Sequence, residues 1–550
     1  MLGLWSNRPR KSPSRRTGVT LVVALSVIAG ATSFTALQHA HPADQPAACA
    51  DRPASGTSAA SGTSPASGTS AAPGTSVVSG APVEVAAGVA RALLGCAPAI
   101  VVANAQRPAD VDAAVPLAEK AHVPLLLSSP LSTIAASKVF SGSGASGARQ
   151  ARLAASVVAV ALREINDLNP RKVLAVGLAA GELSAEMPHA EVTTNPAGLA
   201  GVSQPRPLRH VVVLVSRGHS ADAMAAAATA AAAGAEVVAV PGYDPRADRA
   251  AIAALSAARP RQVIAVGSGF GPASRLASRL AVAMSGVELP GGGQVIVPAH
   301  RVVALYGHPG TPSLGALGQQ DLRASIARAK RLAASYRKLG TVPVMPAFEI
   351  IATLATSAPG PDGDYSQETP VASLRPWVRA ATAAGIYVIL DLQPGRANFL
   401  GQARVYQSLL RLPDVGLALD PEWKLQPGQL PLRQIGNVSI TEVNSVVNWL
   451  ARLTARYSLP QKLLVLHEFK LGEIRDEQRL DTHDDDLAIV MDMDGQGAPA
   501  TKQQTWGVVT SAAPQGALFG WKNFFAKDQP MLDPSQTMTR VPQPVMISYE

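Results

Sequence analysis

The sequence predicts an α/β protein in which two domains with parallel sheets follow an N-terminal export segment and a linker. Three observations lead to this fold class. The chain has 550 residues, which at ~150 residues per domain favours three or four units. Short β-branched runs alternate with Ala-rich helical stretches over 83–550, and such alternation is typical of parallel sheets covered by helices. Apolar residues make up 47% of the chain and aromatic residues only 4%, a composition that fits small-residue helices.

The N-terminal segment carries most of the positive charge. The net charge is +9, and the first forty residues contribute five Lys or Arg and no acid. An uncharged, mostly apolar stretch follows over 18–37, an order typical of secretory signals and signal-anchors. We therefore expect 1–40 to be a signal peptide or a signal-anchor helix, with cleavage left open. The remaining chain is then extracytoplasmic, secreted or membrane-anchored. Because only +4 remains for it, we expect no nucleic-acid partner.

Residues 41–82 have the composition of a disordered linker. Ser-Gly-Thr-Ser recurs at 55, 61 and 67, and large apolar residues are nearly absent. Such a segment cannot bury enough surface to offset its chain entropy. Cys49 and Cys96 are the only cysteines. Outside the cytoplasm they could form one disulfide, and the alternative is two unpaired small residues.

Residues 83–297 are predicted to form a Rossmann-like or flavodoxin-like parallel α/β domain. Helices are expected over 109–121 and 221–233, and strands over 100–103, 124–127, 173–176, 211–215, 237–240 and 263–266. The stretch from 102 to 110 aligns without a gap with 214 to 222, and the same offset of 112 carries 124–126 onto 236–238. The domain is therefore expected to contain two related βαβ units.

Several short motifs recur in these units, among them Ala109-Asp110, Pro124-Leu125-Leu126-Leu127, Ala221-Asp222-Ala223 and Val266-Gly267. Together they resemble the cell wall-binding repeat 2 family. The resemblance implies attachment to a cell-wall polysaccharide or peptidoglycan. By position alone, the two aspartates are explained as helix N-caps.

Residues 298–550 are predicted to form a (β/α)8 TIM barrel. Eight strands are expected over 302–306, 342–348, 386–392, 415–419, 463–466, 487–491, 517–520 and, more weakly, 544–549. About 250 residues in eight βα units is the size of this fold, whose active sites lie at the C-terminal ends of the strands.

Acidic and aromatic residues follow these strands. They are Glu349, Asp391, Asp420, Glu422, Glu468, Asp492, Asp494 and Trp521. Carboxylates with an aromatic platform suit a glycan, because glycoside hydrolysis uses paired carboxyl groups and sugars stack on aromatic faces. The end of 415–422 is similar to the fourth-strand pattern of chitinases and to the shorter Asp-x-Glu of muramidases. The resemblance implies that Glu422 is the general acid and that Asp420 orients or stabilises the substrate. The other six residues are predicted to bind substrate, and only one of His467 and Glu468 can point inward.

The favoured hypothesis is an exported, wall-associated protein whose barrel binds or hydrolyses a glycan, and catalysis itself is left open. A non-catalytic protein that binds wall polymer is the alternative, and a solute-binding receptor is a third hypothesis. No cofactor and no metal is expected. The acidic run over 481–486 precedes a strand, which places it on the face opposite the mouth as a solvated loop.

Overall fold

The computed structural model describes residues 72–130, 158–201 and 208–550. The predicted signal segment 1–40 and most of the predicted linker lie outside the described residues. Within the described ranges, no helix has both the length and the apolar character needed to cross a membrane.

Eight short strands lie in the described part of the first domain. They are β1 (Gly74–Val78), β2 (Ala99–Asn104), β3 (Leu125–Ser128), β4 (Lys172–Val176), β5 (Glu191–Thr193), β6 (Val211–Ser216), β7 (Glu236–Val240) and β8 (Gln262–Val266). Between them lie helices Pro82–Leu93, Pro108–Ala121, 158–168, Ala180–Glu186, Ala221–Ala232, Arg249–Ala258 and Ala273–Ser285. All six predicted strands are present, each within one or two residues of its expected limits.

These strands form two parallel four-stranded sheets, ordered β3-β2-β4-β5 and β1-β8-β6-β7. The internal repeat is visible in the topology, because β6, β7 and β8 pair with one another as β2, β3 and β4 do. The fourth position is filled by β5 in one sheet and by β1 in the other. The prediction of a disordered linker through residue 82 is therefore wrong for Gly74–Val78, which pairs residue by residue with β8.

Helix Ala221–Ala232 joins the two sheets. Its small buried residues, among them Ala225 and Ala228, pack into the core of the first sheet. Thr229 adds a specific contact: its Oγ1 donates to Leu125 O at 3.0 Å and accepts from Leu125 N at 3.1 Å. The alanine-rich composition thus serves close packing between the two repeats.

The second domain is a closed barrel of eight parallel strands. They are β9 (Arg301–Gly307), β10 (Val344–Ala355), β12 (Tyr387–Leu392), β13 (Val415–Leu419), β15 (Lys462–His467), β17 (Leu487–Met493), β18 (Leu518–Asn523) and β19 (Met546–Tyr549), with β11 (Ser366–Glu368), β14 (Val438–Ser439) and β16 (Ile474–Arg475) as short additions. Pairing of β9 with both β19 and β10 closes the barrel. All eight predicted barrel strands are confirmed, including the weak eighth.

The helices of the barrel are Leu322–Tyr336, Val371–Ala383, Phe399–Val405, Gln407–Leu410, Ile440–Arg456, Pro499–Ala512 and Pro534–Thr537. Only Tyr406 separates helix Phe399–Val405 from helix Gln407–Leu410. No α-helix of the described chain lies between β15 and β17, where a loop and a short 3-10 turn make the connection.

The base of the barrel is closed by the segment that leads into it. Leu289 and Ile296 pack with the lower residues of the barrel interior, and Gln461 Oε1 accepts a hydrogen bond from Ile296 N at 2.9 Å. The predicted domain boundary at 297 and 298 therefore falls at the end of a segment that already belongs to the barrel core.

An ion-pair network joins the two domains at this base. Arg246 is 1% exposed and lies 2.9 Å from Asp244 and 3.1 Å from Asp485. Arg279 lies 2.5 Å from the same Asp485 carboxylate. The guanidinium of Arg246 depends on these carboxylates, because without them its charge would be buried and uncompensated.

Candidate functional site

Each of the eight barrel strands carries an inward-facing polar residue, which lies within one residue of the strand end in seven strands and inside the longer strand β10 in the case of Glu349. Below this level the interior is apolar and mostly small, with Ala304, Ala347 and Ala418 among its members. Two residues further along each strand, side chains return to the inside. We call these residues the polar ring: Tyr306, Glu349, Asp391, Asp420, His467, Asp492, Lys522 and Glu550.

His467 lies among the carboxylates of the polar ring. Its Nε2 is 2.9 Å from Glu349 Oε1 and 4.0 Å from Asp391 Oδ1. Its Nδ1 is 3.4 Å from both Asp492 Oδ2 and Asp494 Oδ2. Burial by itself opposes protonation of this imidazole, but the charges of Glu349 and Asp494 outweigh it and raise the pKa of His467 well above its ordinary value.

Lys522 is the second cation of the polar ring. Its Nζ lies 3.0 Å from Glu550 Oε2 and 3.6 Å from the centre of the Tyr306 ring. Tyr306 in turn donates to Asp391 Oδ2 at 2.9 Å. Burial disfavours the charge on Lys522, yet Glu550 and Asp494 raise its pKa well above the ordinary value. Burial likewise opposes ionisation of Glu550, and Lys522 overcomes it, so the pKa of Glu550 is lowered.

Two further acids, Glu422 and Asp494, stand above the polar ring, and we call them the rim acids. Glu422 lies on a short 3-10 turn directly after β13 and is half-buried. Gly436 N donates to its backbone carbonyl at 2.7 Å, which ties the following loop to this turn. Burial and then the charge of Asp494 raise the pKa of Glu422 to about 7. Near neutral pH this carboxyl group can therefore hold and release a proton.

Several ring acids have raised pKa values as well. Burial, partly offset by His467, raises the pKa of Asp391 to about 6 and that of Asp492 to about 7. Burial and then Glu422 raise the pKa of Asp420 well above its ordinary value. Groups with strongly shifted pKa values cluster at functional sites more often than elsewhere.

Many oxygen atoms at this mouth lack a hydrogen-bond donor. Glu349 Oε2, Asp391 Oδ1, Asp420 Oδ1, Asp492 Oδ1 and Asp494 Oδ1 are all buried without a partner. Each such atom costs free energy comparable to a lost hydrogen bond. This number of unpaired acceptors favours a ligand that supplies hydrogen-bond donors.

The structure places six of the eight predicted site residues at the mouth: Glu349, Asp391, Asp420, Glu422, Asp492 and Asp494. Glu468 lies just outside the polar ring, because His467 takes the inward position of β15. Burial and then a hydrogen bond with Glu477 raise the pKa of Glu468 to about 9. Glu473 lies beside it, and burial followed by Asp494 raises the pKa of Glu473 to about 9.

Trp521 is not at the mouth. Its ring is fully buried against Trp506, with centroids 5.5 Å apart, and its indole Nε1 donates to Asn523 Oδ1 at 2.9 Å. The expectation that Trp521 forms an aromatic platform for a sugar is therefore wrong. The alternation of β18 sends Trp521 outward and its neighbour Lys522 inward. Trp423, next to Glu422, is half-buried and is the aromatic residue nearest in sequence to a rim acid.

Four members of the polar ring were absent from the predicted site: Tyr306, His467, Lys522 and Glu550. Strict period-two counting from the apolar interior of each strand identifies all four. His467 and Lys522 are the chain neighbours of the predicted residues Glu468 and Trp521. The prediction therefore chose the wrong face of each of these two strands.

The acidic run at the base of the barrel is paired. Asp484, Asp485 and Asp486 are the only group in the described ranges that brings three possible ligand atoms within 4.8 Å of one another. Arg246 and Arg279 already contact Asp485. Cys96 takes part in a disulfide, whereas Cys49 lies outside the described residues, so their pairing stays a prediction.

No family model and no curated protein matches this chain. Among solved structures, Cwp6 from Clostridium difficile is similar over 58% of this chain and 63% of its own length, with 14% sequence identity and a TM-score of 0.24. The alignment thus spans less than two thirds of Cwp6, and a superposition at this level carries no argument. The resemblances to cell wall-binding repeat 2, chitinases and muramidases stay predictions. The fold and the mouth together define a closed parallel α/β barrel with a carboxylate-rich mouth.

Proposed function

We propose that the barrel binds and hydrolyses a glycan at the mouth formed by the polar ring and the rim acids. One observation carries the proposal: a closed parallel barrel brings an acid-rich set of side chains together at the C-terminal ends of its strands. This is the face on which barrels of this architecture carry out chemistry. The substrate would be a cell-wall polysaccharide or peptidoglycan, as the sequence predicts.

Glu422 is the general acid in this proposal. It is half-buried at the top of β13, and a pKa raised to about 7 by burial and Asp494 keeps it protonated until neutral pH. Such a group can protonate the oxygen of a leaving sugar.

Asp494 is the second carboxyl group. It is the strongest charge acting on Glu422, and it stands 3.4 Å from the protonated imidazole of His467. This contact places Asp494 between the imidazole of His467 and the carboxyl group of Glu422. Asp420 lies below Glu422, where its raised pKa suits a hydrogen bond to the sugar. Trp423 is the candidate stacking surface.

The assay uses the full chain, because the segment before residue 298 closes the barrel base. Wild type, Glu422→Gln and the control Asp321→Asn are incubated with chitin oligosaccharides and with peptidoglycan, and new reducing ends are counted. Asp321 is an exposed helix N-cap, a role that Asn fills equally well. The expected result is activity in wild type and control and at least a ~100-fold loss in Glu422→Gln, as for loss of general acid catalysis. Equal activity in all three proteins would refute the assignment of Glu422.

A non-catalytic glycan-binding protein is the second candidate. It is favoured because Glu349, Asp391 and Asp492 have no exposed surface, so that only the half-buried Glu422 and Glu550 and the slightly exposed Asp494 can come near a sugar, which leaves few carboxyl groups for hydrolysis. Binding of the oligosaccharides by all three proteins, without release of reducing ends, would support this candidate over hydrolysis.

A further inference from the structure

We propose that the mouth of the barrel selects glycans that carry free amino groups, whose ammonium ions contact the carboxylate of the rim acid Asp494. The inference rests on the proposed function, since it names the class of glycan that the same site would take. It is carried by the charge balance of the mouth and by its unpaired atoms.

Carboxyl groups at the mouth far outnumber cations. The polar ring contributes five and the rim contributes two, against the two cations His467 and Lys522. The seven carboxyl groups are Glu349, Asp391, Asp420, Asp492, Glu550, Glu422 and Asp494. Both cations are already engaged, His467 with Glu349 at 2.9 Å and Lys522 with Glu550 at 3.0 Å. The pKa values of Asp391, Asp420, Asp492 and Glu422 are all raised, so the excess of carboxyl groups is held partly in protonated form, and a bound cation takes the place of such protons.

All but one of the unpaired side-chain atoms of the ring and rim residues are carboxylate oxygens. Glu349, Asp391, Asp420, Asp492 and Asp494 each present one buried oxygen without a donor, and His467 Nδ1 is the only unpaired nitrogen among the ring members. Asp494 is 8% exposed and Asp420 is 2% exposed, so neither oxygen is freely hydrated. A ligand that fits must bring donors. A sugar ammonium brings three donors and a positive charge, and hydrogen bonds from a charged donor to a carboxylate are roughly twice as strong as neutral ones.

The spacing of these oxygens disfavours a metal ion. No three ligand atoms at the mouth lie within 4.8 Å of one another, since the described residues meet that limit only at Asp484–Asp486 on the opposite face. His467 stands between the carboxylates that a divalent ion would have to draw together. Calcium and magnesium need several oxygens at ~2.0–2.6 Å. Ammonium and hydroxyl groups spread along a sugar chain can reach separate carboxylates.

An N-acetylated sugar suits the same mouth less well. Its acetamide is neutral, offers a single N–H donor and adds a carbonyl acceptor among oxygens that already lack donors. Acetylation thus removes the charge and two donors at once. The N-acetylated sugar would leave buried polar groups of the site unpaired, whereas the free amine would not. Unpaired polar groups discriminate between ligands more strongly than differences in apolar contact do.

Binding of an ammonium ion should also release protons. A positive charge at the rim favours the ionised form of Glu422, whose pKa stands at about 7 in the unliganded protein. The carboxyl groups that lose their protons on binding would be those nearest the sugar amine. The heat of binding then depends on the buffer that takes up the protons.

The experiment is titration calorimetry of the full chain at about pH 6, where a sugar amine carries its proton. The ligands are a glucosamine hexamer, an N-acetylglucosamine hexamer, spermine and calcium alone. We expect the glucosamine hexamer to bind at least ~10-fold more tightly than each of the others, with an affinity that falls as salt rises. The heat should differ between two buffers of different ionisation enthalpy. Asp494→Asn should lose at least ~10-fold in affinity, whereas Asp321→Asn should bind as wild type does.

The wild-type comparison does not depend on whether Asp494→Asn folds. Equal affinity for the two hexamers, or tighter binding of spermine or calcium, would overturn the inference. Hydrolysis of an N-acetylated glycan without preference for the amine would overturn it while leaving the proposed hydrolysis intact. Selective binding of the glucosamine hexamer without hydrolysis would support the inference and contradict the proposed hydrolysis.

Discussion

Replacement of Asp492 by Asn should make the barrel less sensitive to rising pH. Asp492 has no exposed surface, and burial raises its pKa from 3.8 to about 7 in the folded protein, against about 3.9 in an unfolded chain. Between these values the unfolded state has lost the proton and the folded state has kept it. The unfolded state then binds fewer protons, so the free energy of unfolding falls as pH rises through this window.

The size of the effect follows from the two pKa values. The raised pKa of Asp492 lowers the free energy of unfolding by about 1.5 kcal/mol at about pH 5 and by about 4 kcal/mol at about pH 8. The difference between the two pH values is about 2.5 kcal/mol. Asn resembles the protonated acid and does not ionise, so Asp492→Asn should remove that difference. Comparing two pH values cancels the contacts that Asn changes equally at both.

The assay is urea unfolding at the two pH values, followed by tryptophan fluorescence. Five of the six tryptophans lie in 298–550, and none lies in 72–297, so the signal reports the barrel. Asp321→Asn is the control and should keep the pH dependence of wild type. If Asp492→Asn loses stability between about pH 5 and about pH 8 as steeply as wild type does, the assignment of a buried, protonated Asp492 is refuted.

Three further predictions concern the scaffold. Arg246→Gln should lower the free energy of unfolding by about 1–3 kcal/mol, because the partly exposed carboxylates of Asp244 and Asp485 lose their cation. Arg249→Gln breaks an exposed ion pair with Glu288 and should lower the free energy of unfolding by less than about 1 kcal/mol. Thermal unfolding measures both. Thr229→Val should cost about 1–3 kcal/mol, since it strips both hydrogen bonds from Leu125, and an unchanged circular dichroism melting curve would contradict this. Leu432 is 81% exposed at a φ of 60°, so Leu432→Gly should change stability by less than about 1 kcal/mol, as relief of strain offsets chain entropy. A decrease of more than about 2 kcal/mol in the free energy of unfolding, measured by urea unfolding, would contradict this, because it would mean that the Leu432 side chain packs against the protein.

Most of the fold could be predicted from the sequence because its strands are nearly continuous apolar runs. Val415–Leu419 was predicted to the residue, and even the weak eighth strand is present. The strand Gly74–Val78 escaped prediction for a physical reason. Its pairing partner β8 lies almost 190 residues further along the chain, and only two valines distinguish it from the repetitive segment before it.

The sequence predicts well which residues lie at the ends of the strands. It predicts less well which of their side chains point into the barrel. Asp391, Asp420 and Asp492 follow from the rule that acids at strand ends meet at one mouth. Trp521 was misplaced because its aromatic character suggested sugar stacking, whereas the alternation of β18 sends it outward against Trp506. The position of His467 between Glu349 and Asp494 depends on distances that link strands far apart in sequence. Local patterns cannot supply such distances.

The most direct test of the central claim is the pH dependence of glycan hydrolysis by the full chain. We expect wild type to release reducing ends with a rate that falls on the basic side with a midpoint near 7, the pKa of Glu422. Asp494→Asn should lower the rate at every pH, because it removes the second carboxyl group of the proposed pair. The midpoint of the residual activity should move to lower pH, because Asp494 is the charge that most raises the pKa of Glu422. Absence of hydrolysis by wild type at every pH, or equal rates in wild type and Glu422→Gln, would contradict the claim.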